Sequence, residues 1–554
     1  MEQVNIAQSL TEMAARAPFR PAVIFPAGRD SKGRAKFIQF SFRQLNQECD
    51  RYAHGLTEYG IRQGDRTLVM VRPGIELIAV AFALLKMGAV PVMIDPGMGR
   101  KPFLQCVGET EPVAFIGIPV AHVLRVLFPG TFKTVKHSVT VGKRWFWGGA
   151  TLDQVRSERR DPFPVAPTTT ESEGAVAFTS GSTGIPKGVV YLHGMFRAQI
   201  ELLQNEFRIA EGEVDLPGLY IFALFNPALG VTTVFPDMDP TRPAEVNPAY
   251  LVEAIQTHGV TSSFGSPAIW KRVGKYCLEN DIRLPSIKRI LMASAPVPPS
   301  LVADFVTRIL DGGEVNTPFG ASEAVPITMM SGDEIVAETA ALSEQGKGLC
   351  VGREIRGHTI RIIRITDEPV PEWDDALVLP QGEVGEIVVK GPVVTRVYLN
   401  RPQKTALAKI RDTDGIWHRM GDLGYLDEKD RLWFCGRKAH RIETSQGLML
   451  PVPCEAIFNH HPDVVRTALV GVGERKQQRP VLVVEPRESK LPTTQAARQK
   501  FVTELLALGA EHEQTRPIQD VLFYASSFPV DVRHNAKIQR EKLAVWAETQ
   551  LQTS

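Results

Sequence analysis

The chain has 554 residues, 44% of them hydrophobic and 23% charged, with a net charge of +1. That length exceeds one ordinary core, so two or more domains are expected, and the neutral balance offers no electrostatic footprint for nucleic acid. Six cysteines without a Cys-x-x-Cys pair argue for free thiols in a reducing, cytoplasmic setting, against zinc and against a disulfide framework.

From the start of the chain, Ile6 to Arg16 predicts an amphipathic helix and Ala22 to Phe25 a strand. Met1 to Asn5 carries no basic start before an apolar run, so no signal peptide is read. Ser41 caps a helix through Leu45, Tyr52 and Leu56 that Gly60 ends. Thr67 to Val71, Glu76 to Met87 and Val90 to Ile94 read as strand, helix and strand. The longest apolar segment, Leu77 to Leu85, stops at Lys86, too short for a membrane span. A helix after Gly99 and a strand at Val113 to Ile118 repeat the pattern, which implies a parallel sheet. Lys143 to Pro167 reads as irregular.

The densest chemistry lies at Phe178-Thr179-Ser180-Gly181-Ser182-Thr183-Gly184-Ile185-Pro186-Lys187. Glycines let a backbone turn and a ligand approach. Hydroxyls and exposed N–H groups add donors, and Lys187 adds a charge, as cradling a polyphosphate requires. The spacing is not that of the Walker loop. Such clusters ordinarily mark surface loops, but apolar runs flank this one tightly.

A helix is expected over Met195 to Phe207. Leu219 to Gly230, rich in Phe222 and Phe225, reads as a buried strand by composition, or as the wall of an acyl pocket. Leu251 to His258 is a helix, Ser262 to Pro267 (with Phe264 and Gly265) a strand and turn, and Ile287 to Ala293 a strand before Ser294 and Ala295. Thr317-Pro318-Phe319-Gly320-Ala321-Ser322-Glu323 puts an aromatic, a hydroxyl and a carboxylate at a strand end. Open α/β sheets bind ligands there. An aromatic face suits a purine, and a carboxylate suits Mg2+. From Gly382 the rhythm changes to short strands and glycine turns, an antiparallel module through Gly421-Asp422-Leu423 and ending at Gly436-Arg437-Lys438. Asp422 suits a ribose diol or a local cap. Arg437 suits ribose and phosphate, or a carboxylate partner. The remainder reads as a small α+β unit: a helix at Glu455 to His461, strands at Ala468 to Val472 and Pro480 to Glu485, and a helix at Gln495 to Gly509. Arg533, His534, Asn535 and Lys537 then crowd a loop that suits an anion, before a closing helix.

Six of these stretches, in this order, resemble the acyl-adenylate-forming superfamily: the phosphate loop, Phe-Gly-Ala-Ser-Glu, Gly-Glu-Val-Gly-Glu, Gly-Asp-Leu, Gly-Arg-Lys and the late lysine. Within it, Ile94 to Lys101 and Pro529 to Lys537 look like the β-lactone synthetases of bacterial long-chain olefin biosynthesis. The resemblance implies an α/β fold: an N-terminal domain over 1–436, with two α/β sheets and a distorted β-barrel, and a small mobile α+β domain over 437–554. It implies ATP and Mg2+ as cofactors. Thr179, Ser180, Gly181, Ser182, Thr183, Gly184 and Lys187 would hold the β- and γ-phosphates. Ala295 and Phe319 would flank the adenine, and Gly320 between Phe319 and Ala321 would also touch the nucleotide. Ser322 would touch the α-phosphate, Glu323 would bind the metal, and Asp422 and Arg437 would hold the ribose. Lys537 would bridge carboxylate and α-phosphate, and Phe222, Phe225, Phe264 and Gly265 would meet the acyl chains. The implied reaction adenylates a long-chain 2-alkyl-3-hydroxy acid and closes it to a β-lactone. The implied partners are a thiolase, a ketoreductase and a β-lactone decarboxylase. A fatty-acyl-CoA or fatty-acyl-AMP ligase is the rival enzyme, and a nucleotide-binding scaffold without chemistry the rival of another class. Two positions depart from the wider pattern. Asn535-Ala536 stand before the lysine where many relatives have glycine, and Ala439 takes the place of a hinge Asp or Lys. His193, just past the loop, is a candidate base or a core histidine.

Overall fold

In the computed structural model, which describes residues 2–179, 186–530 and 537–553, two large sheets share the first three-quarters of the chain. A seven-stranded sheet contains the predicted β-α-β unit: strands Arg66–Met70 and Val90–Ile94 are parallel neighbours joined by helix Ile75–Met87. That helix is buried nearly all round, from Leu77 to Met87. It therefore carries no polar face, as a helix inside a core should not. Its one buried charge, Lys86, donates to Asp50 at 2.5 Å and to Asn46 at 2.8 Å, both on helix Phe42–Tyr59. An uncompensated ammonium there would be prohibitive. Helix Phe42–Tyr59 begins and ends as its sequence predicts. Ser41 and Gln44 form a reciprocal capping box, and Gly60 closes it at φ 113°.

The second sheet runs through 14 strands. One end is parallel α/β, with Ser262–Gly265, Arg289–Met292 and Glu314–Ala321 side by side. Beyond Glu314–Ala321 the ladder turns antiparallel and continues without a break through Ala324–Ser331, Leu349–Glu354, Leu432–Arg437, Gly415–Leu426 and Gly385–Lys390. The antiparallel module is thus an extension of the second sheet. After Arg437, a three-stranded sheet of Val464–Val472, Arg479–Pro486 and Asp520–Phe523 packs against helices Pro451–Phe458, Gln495–Ala510 and Arg540–Thr553.

Two expectations need correction, and one strand was not expected at all. Leu219 to Gly230 is not a strand: Tyr220–Leu224 forms a tight helical turn and Asn226–Leu229 a short helix. Pro227 favours a helix start and cannot donate to a ladder. Gly230 ends the turn at φ 70°, and Asn226 is held by Asp215 at 2.9 Å and Thr233 at 3.0 Å. Secondly, the stretch 143–167 contains edge strand Ala150–Thr151 and helix Leu152–Val155, the latter opened by a Thr151–Gln154 capping box. The unexpected strand, Ala35–Ser41, pairs antiparallel with Pro21–Arg29.

Candidate active site

Glu323 sits in the turn between antiparallel strands Glu314–Ala321 and Ala324–Ser331. Its backbone carbonyl accepts from the Thr395 N–H at 2.8 Å and the Thr395 hydroxyl at 3.0 Å. Its carboxylate accepts from the Tyr398 hydroxyl at 2.5 Å. That same hydroxyl accepts from Lys187 Nζ at 3.0 Å, and the ammonium lies 3.8 Å from the Glu323 carboxylate. One phenol oxygen therefore ties the lysine after the glycine-rich stretch to the carboxylate of the hairpin. Beneath them Lys409, fully enclosed, donates to the carbonyl and hydroxyl of Thr395. Desolvation works to raise the Glu323 carboxyl. The His418 ring, Lys187, the Tyr398 hydroxyl and Lys409 reverse this and hold it well below the usual carboxylate range. Desolvation lowers Lys187, against the pull of Glu323. It also drives Lys409 down to about 7.

Asp422 and Arg437 stand directly opposite each other on neighbouring antiparallel strands. Their ion pair is 2.8 Å long, and Arg437 also reaches the Met420 carbonyl at 3.3 Å. Burial raises the Asp422 carboxyl, while Arg437 and then Lys537 pull it back. Lys537 belongs to the last part of the chain, yet it lines the same cavity as Lys187, Ser322, Glu323, Asp422 and Arg437. Ion pairs reach across from this part of the chain: Lys438 to Glu386 at 2.9 Å and Arg441 to Asp367 at 2.5 Å.

The cavity measures about 1060 Å³. Its polar end carries the groups above, together with Ala295, Phe319 and Gly320. An apolar arm runs between the two sheets, walled by Phe82 and Leu85 of the buried helix on one side and by Phe222, Phe225 and Phe264 on the other. Phe222 packs on Phe264 with ring centroids 4.0 Å apart, and Phe225 meets Phe196 at 6.1 Å. Tyr191 stacks on Phe196 at 5.7 Å and donates its hydroxyl to the Ser322 carbonyl at 2.7 Å. The apolar wall is thereby coupled to the hairpin turn.

Gly265 does not line this cavity. A Cβ there would meet Trp270 Nε1 at 2.7 Å, so its lack of a side chain serves indole packing. His193 is also outside the cavity lining. It is fully buried, its Nδ1 accepts from the Ile6 N–H at 3.3 Å, and burial lowers it to about 4. It is a core histidine. Ser180, Gly181, Ser182, Thr183 and Gly184 lie outside the described residues, as do Arg533, His534, Asn535 and Ala536. Of Thr179 and Lys187, the backbones pair across an antiparallel ladder. Sequence reasoning missed Tyr398, Thr395 and Lys409. Each is a lone polar residue with no local pattern, and only the fold brings them to Glu323 from 72 to 86 positions away.

The sequence profile of the AMP-binding enzyme family matches residues 10–399. The chain is 46% identical to the olefin beta-lactone synthetase of Stenotrophomonas maltophilia, over 99% of each chain. It is 46% identical to the olefin beta-lactone synthetase of Xanthomonas campestris pv. campestris, covering 99% of this chain and 98% of the other. An amide bond synthetase from Marinactinospora thermotolerans shares the fold at a TM-score of 0.77 and 21% identity, with 98% and 99% coverage.

Proposed function

This chain belongs to the AMP-binding enzymes, and from that premise we propose that it is an ATP-dependent, AMP-forming ligase that closes a long-chain 2-alkyl-3-hydroxy acid to a β-lactone. The observation that carries the reading is the identity, over essentially the whole length, with two olefin beta-lactone synthetases. The substrate carboxylate attacks the α-phosphorus of ATP, and diphosphate leaves with the electrons of the broken P–O bond. The 3-hydroxyl oxygen then attacks the acyl carbon and loses its proton. AMP departs, and a four-membered ring remains. Having the nucleophile on the substrate makes the second step intramolecular, given a hydroxyl held within about 3–3.5 Å of the carbon.

In this reading residues 179–187 cradle the β- and γ-phosphates. Ala295 and Phe319 flank the adenine, Gly320 also touches the nucleotide, Ser322 meets the α-phosphate, and Asp422 and Arg437 hold the ribose. Lys537 bridges carboxylate and α-phosphate from the domain that begins at 437. It offsets the repulsion between two anions where that repulsion peaks. The donor chemistry fits Mg2+: Glu323 is a hard oxygen ligand kept ionised, and among the described residues no group of three His, Cys, Asp or Glu forms a dedicated cage. A single carboxylate suits an ion that arrives on nucleotide phosphates and neutralises the leaving diphosphate. Phe222, Phe225 and Phe264 wall the alkyl chains and keep water from the adenylate. A thiolase and a ketoreductase would supply such a β-hydroxy acid, and a decarboxylase would consume the lactone, all in the cytoplasm.

The test is diphosphate release with product mass spectrometry. A 2-alkyl-3-hydroxy acid is expected to yield β-lactone, AMP and diphosphate, with coenzyme A changing neither rate nor product. The same acid lacking the hydroxyl is expected to stall as adenylate. An acyl-CoA whose rate of formation follows the coenzyme A concentration would replace this reading with a fatty-acyl-CoA ligase.

A further inference from the structure

Far from the cavity, the outer edge of the seven-stranded sheet carries a second unusual surface. Helix Pro119–Leu127 leaves Val120 61% and Leu127 64% exposed, two turns apart on one stripe. The loop after strand His137–Thr140 exposes Trp145 by 53% and Phe146 by 76%. Large aromatics are expensive to leave in water, and these are not loose. The neighbouring Trp147 is buried, stacks on His122 of the helix at 5.4 Å, and donates its indole N–H to Thr140 at 3.0 Å. Trp145 and Phe146 pack on that indole with centroids 5.4 and 5.2 Å away. The exposed rings are thus shingled onto a buried one and presented rigidly.

Charge distinguishes this corner further. Between Glu111 and Asp153 there is no acidic residue, while Arg125, Lys133, Lys136, Lys143 and Arg144 all fall within it. In a chain whose net charge is +1, such a segregated block is local and one-signed. Lys133, Lys136, Lys143 and Arg144 are exposed. A second copy docked through the same patch would set this block of cations against itself, and like-charge juxtaposition is costly. A bilayer surface asks instead for Trp, Phe and Leu at headgroup depth, flanked by cations on lipid phosphates.

We propose that the corner formed by helix Pro119–Leu127 and the loop 141–149 docks peripherally on an anionic lipid bilayer. No helix among the described residues is long and apolar enough to cross a membrane, so contact is interfacial. The inference is independent of the lactone reading, although a two-chain acid is itself a bilayer-resident molecule and docking would bring the enzyme to it.

The test is flotation of the full chain with vesicles. The chain is expected to stay in solution with phosphatidylcholine alone and to float when phosphatidylglycerol is mixed in, with binding lost as salt rises. Lys143→Gln with Arg144→Gln should weaken partition about thirtyfold, and Trp145→Ser with Phe146→Ser should abolish it. Trp145→Phe should still float but lose the quenching of tryptophan emission by brominated lipid. Unchanged thermal melting and unchanged diphosphate release with a short soluble acid would show these variants folded. Equal binding to both vesicle types, or parental flotation of the Trp145/Phe146 variant, overturns the proposal. So does a vesicle-independent oligomer that the same substitutions dissolve, which would make a second copy the occupant.

Discussion

Tyr398 joins Lys187 and Glu323 through one oxygen, so removing that oxygen separates their contacts without deleting either charge. Tyr398→Phe leaves a buried carboxylate short of a donor, a loss of about 1–3 kcal/mol. The expected outcome is a roughly tenfold rise in KM for MgATP and a larger Mg2+ requirement in a diphosphate-release assay. An unchanged Mg2+ titration would remove the hydroxyl from that role. Lys409 makes a different, pH-dependent prediction. Its folded pKa of about 7 lies below the ordinary 10.5. Above the folded value, the folded chain has shed a proton that the unfolded chain still holds, so stability rises with pH from about 7 to 10.5. The cost of enclosing the ammonium is fully present below that window. Lys409→Met abolishes this term. Its melting temperature relative to the parent should therefore be more favourable near about pH 6 than near about pH 10. A difference flat across that range would contradict the depressed pKa.

At the scale of elements, the tight turn Tyr220–Leu224 shows what was legible and what was not. Its apolar composition pointed to burial or to a pocket wall, and Phe222 and Phe225 do line the cavity. The backbone was misread because aromatic runs favour strands, whereas Pro227 and Gly230 decide the conformation here. The β-α-β unit and the Ser41–Gly60 helix were readable because period, cap and stop agree along contiguous residues. Ala35–Ser41 was missed since its alternation is weak and its partner strand carries the apolar side. Tyr398 and Lys409 have no contiguous signal of their own, so of this constellation only the Glu323 carboxylate, in its strand-end motif, was legible. The turn also makes a prediction. Phe225→Asp puts a charge in the apolar arm, which should raise KM for long-chain acids at least about tenfold while sparing short ones. A uniform loss of folded protein, seen by thermal melting, would instead make Phe225 a core residue only.

Across the whole molecule, one lysine from the end of the chain lines a cavity built mainly by the first 437 residues. Lys537→Ala should lower adenylate formation on the order of a hundredfold or more and leave ATP affinity, measured by calorimetry, within about twofold. Equal losses in both would mean that the lysine contributes uniform binding. The ion pairs Lys438–Glu386 and Arg441–Asp367 lie just after Arg437, where the departure Ala439 leaves no charge at the expected hinge position. They are among the contacts any rotation of this part of the chain would have to exchange.

The order of the 14-stranded sheet carries one more consequence, for biosynthesis. Pro21–Arg29 and Ala35–Ser41 make a hairpin that any nascent chain can form early. Their attachment to the rest of the sheet is the parallel pairing of Val23 and Ile24 with Thr233 and Val234. A ribosome must add some two hundred residues before that partner exists, about 10–40 s of synthesis. Throughout that interval the hairpin offers an unpaired edge and an apolar face to whatever else is present. Of all the strand pairings among the described residues, this one joins the positions furthest apart in sequence, so the first hairpin made waits longest for its neighbour.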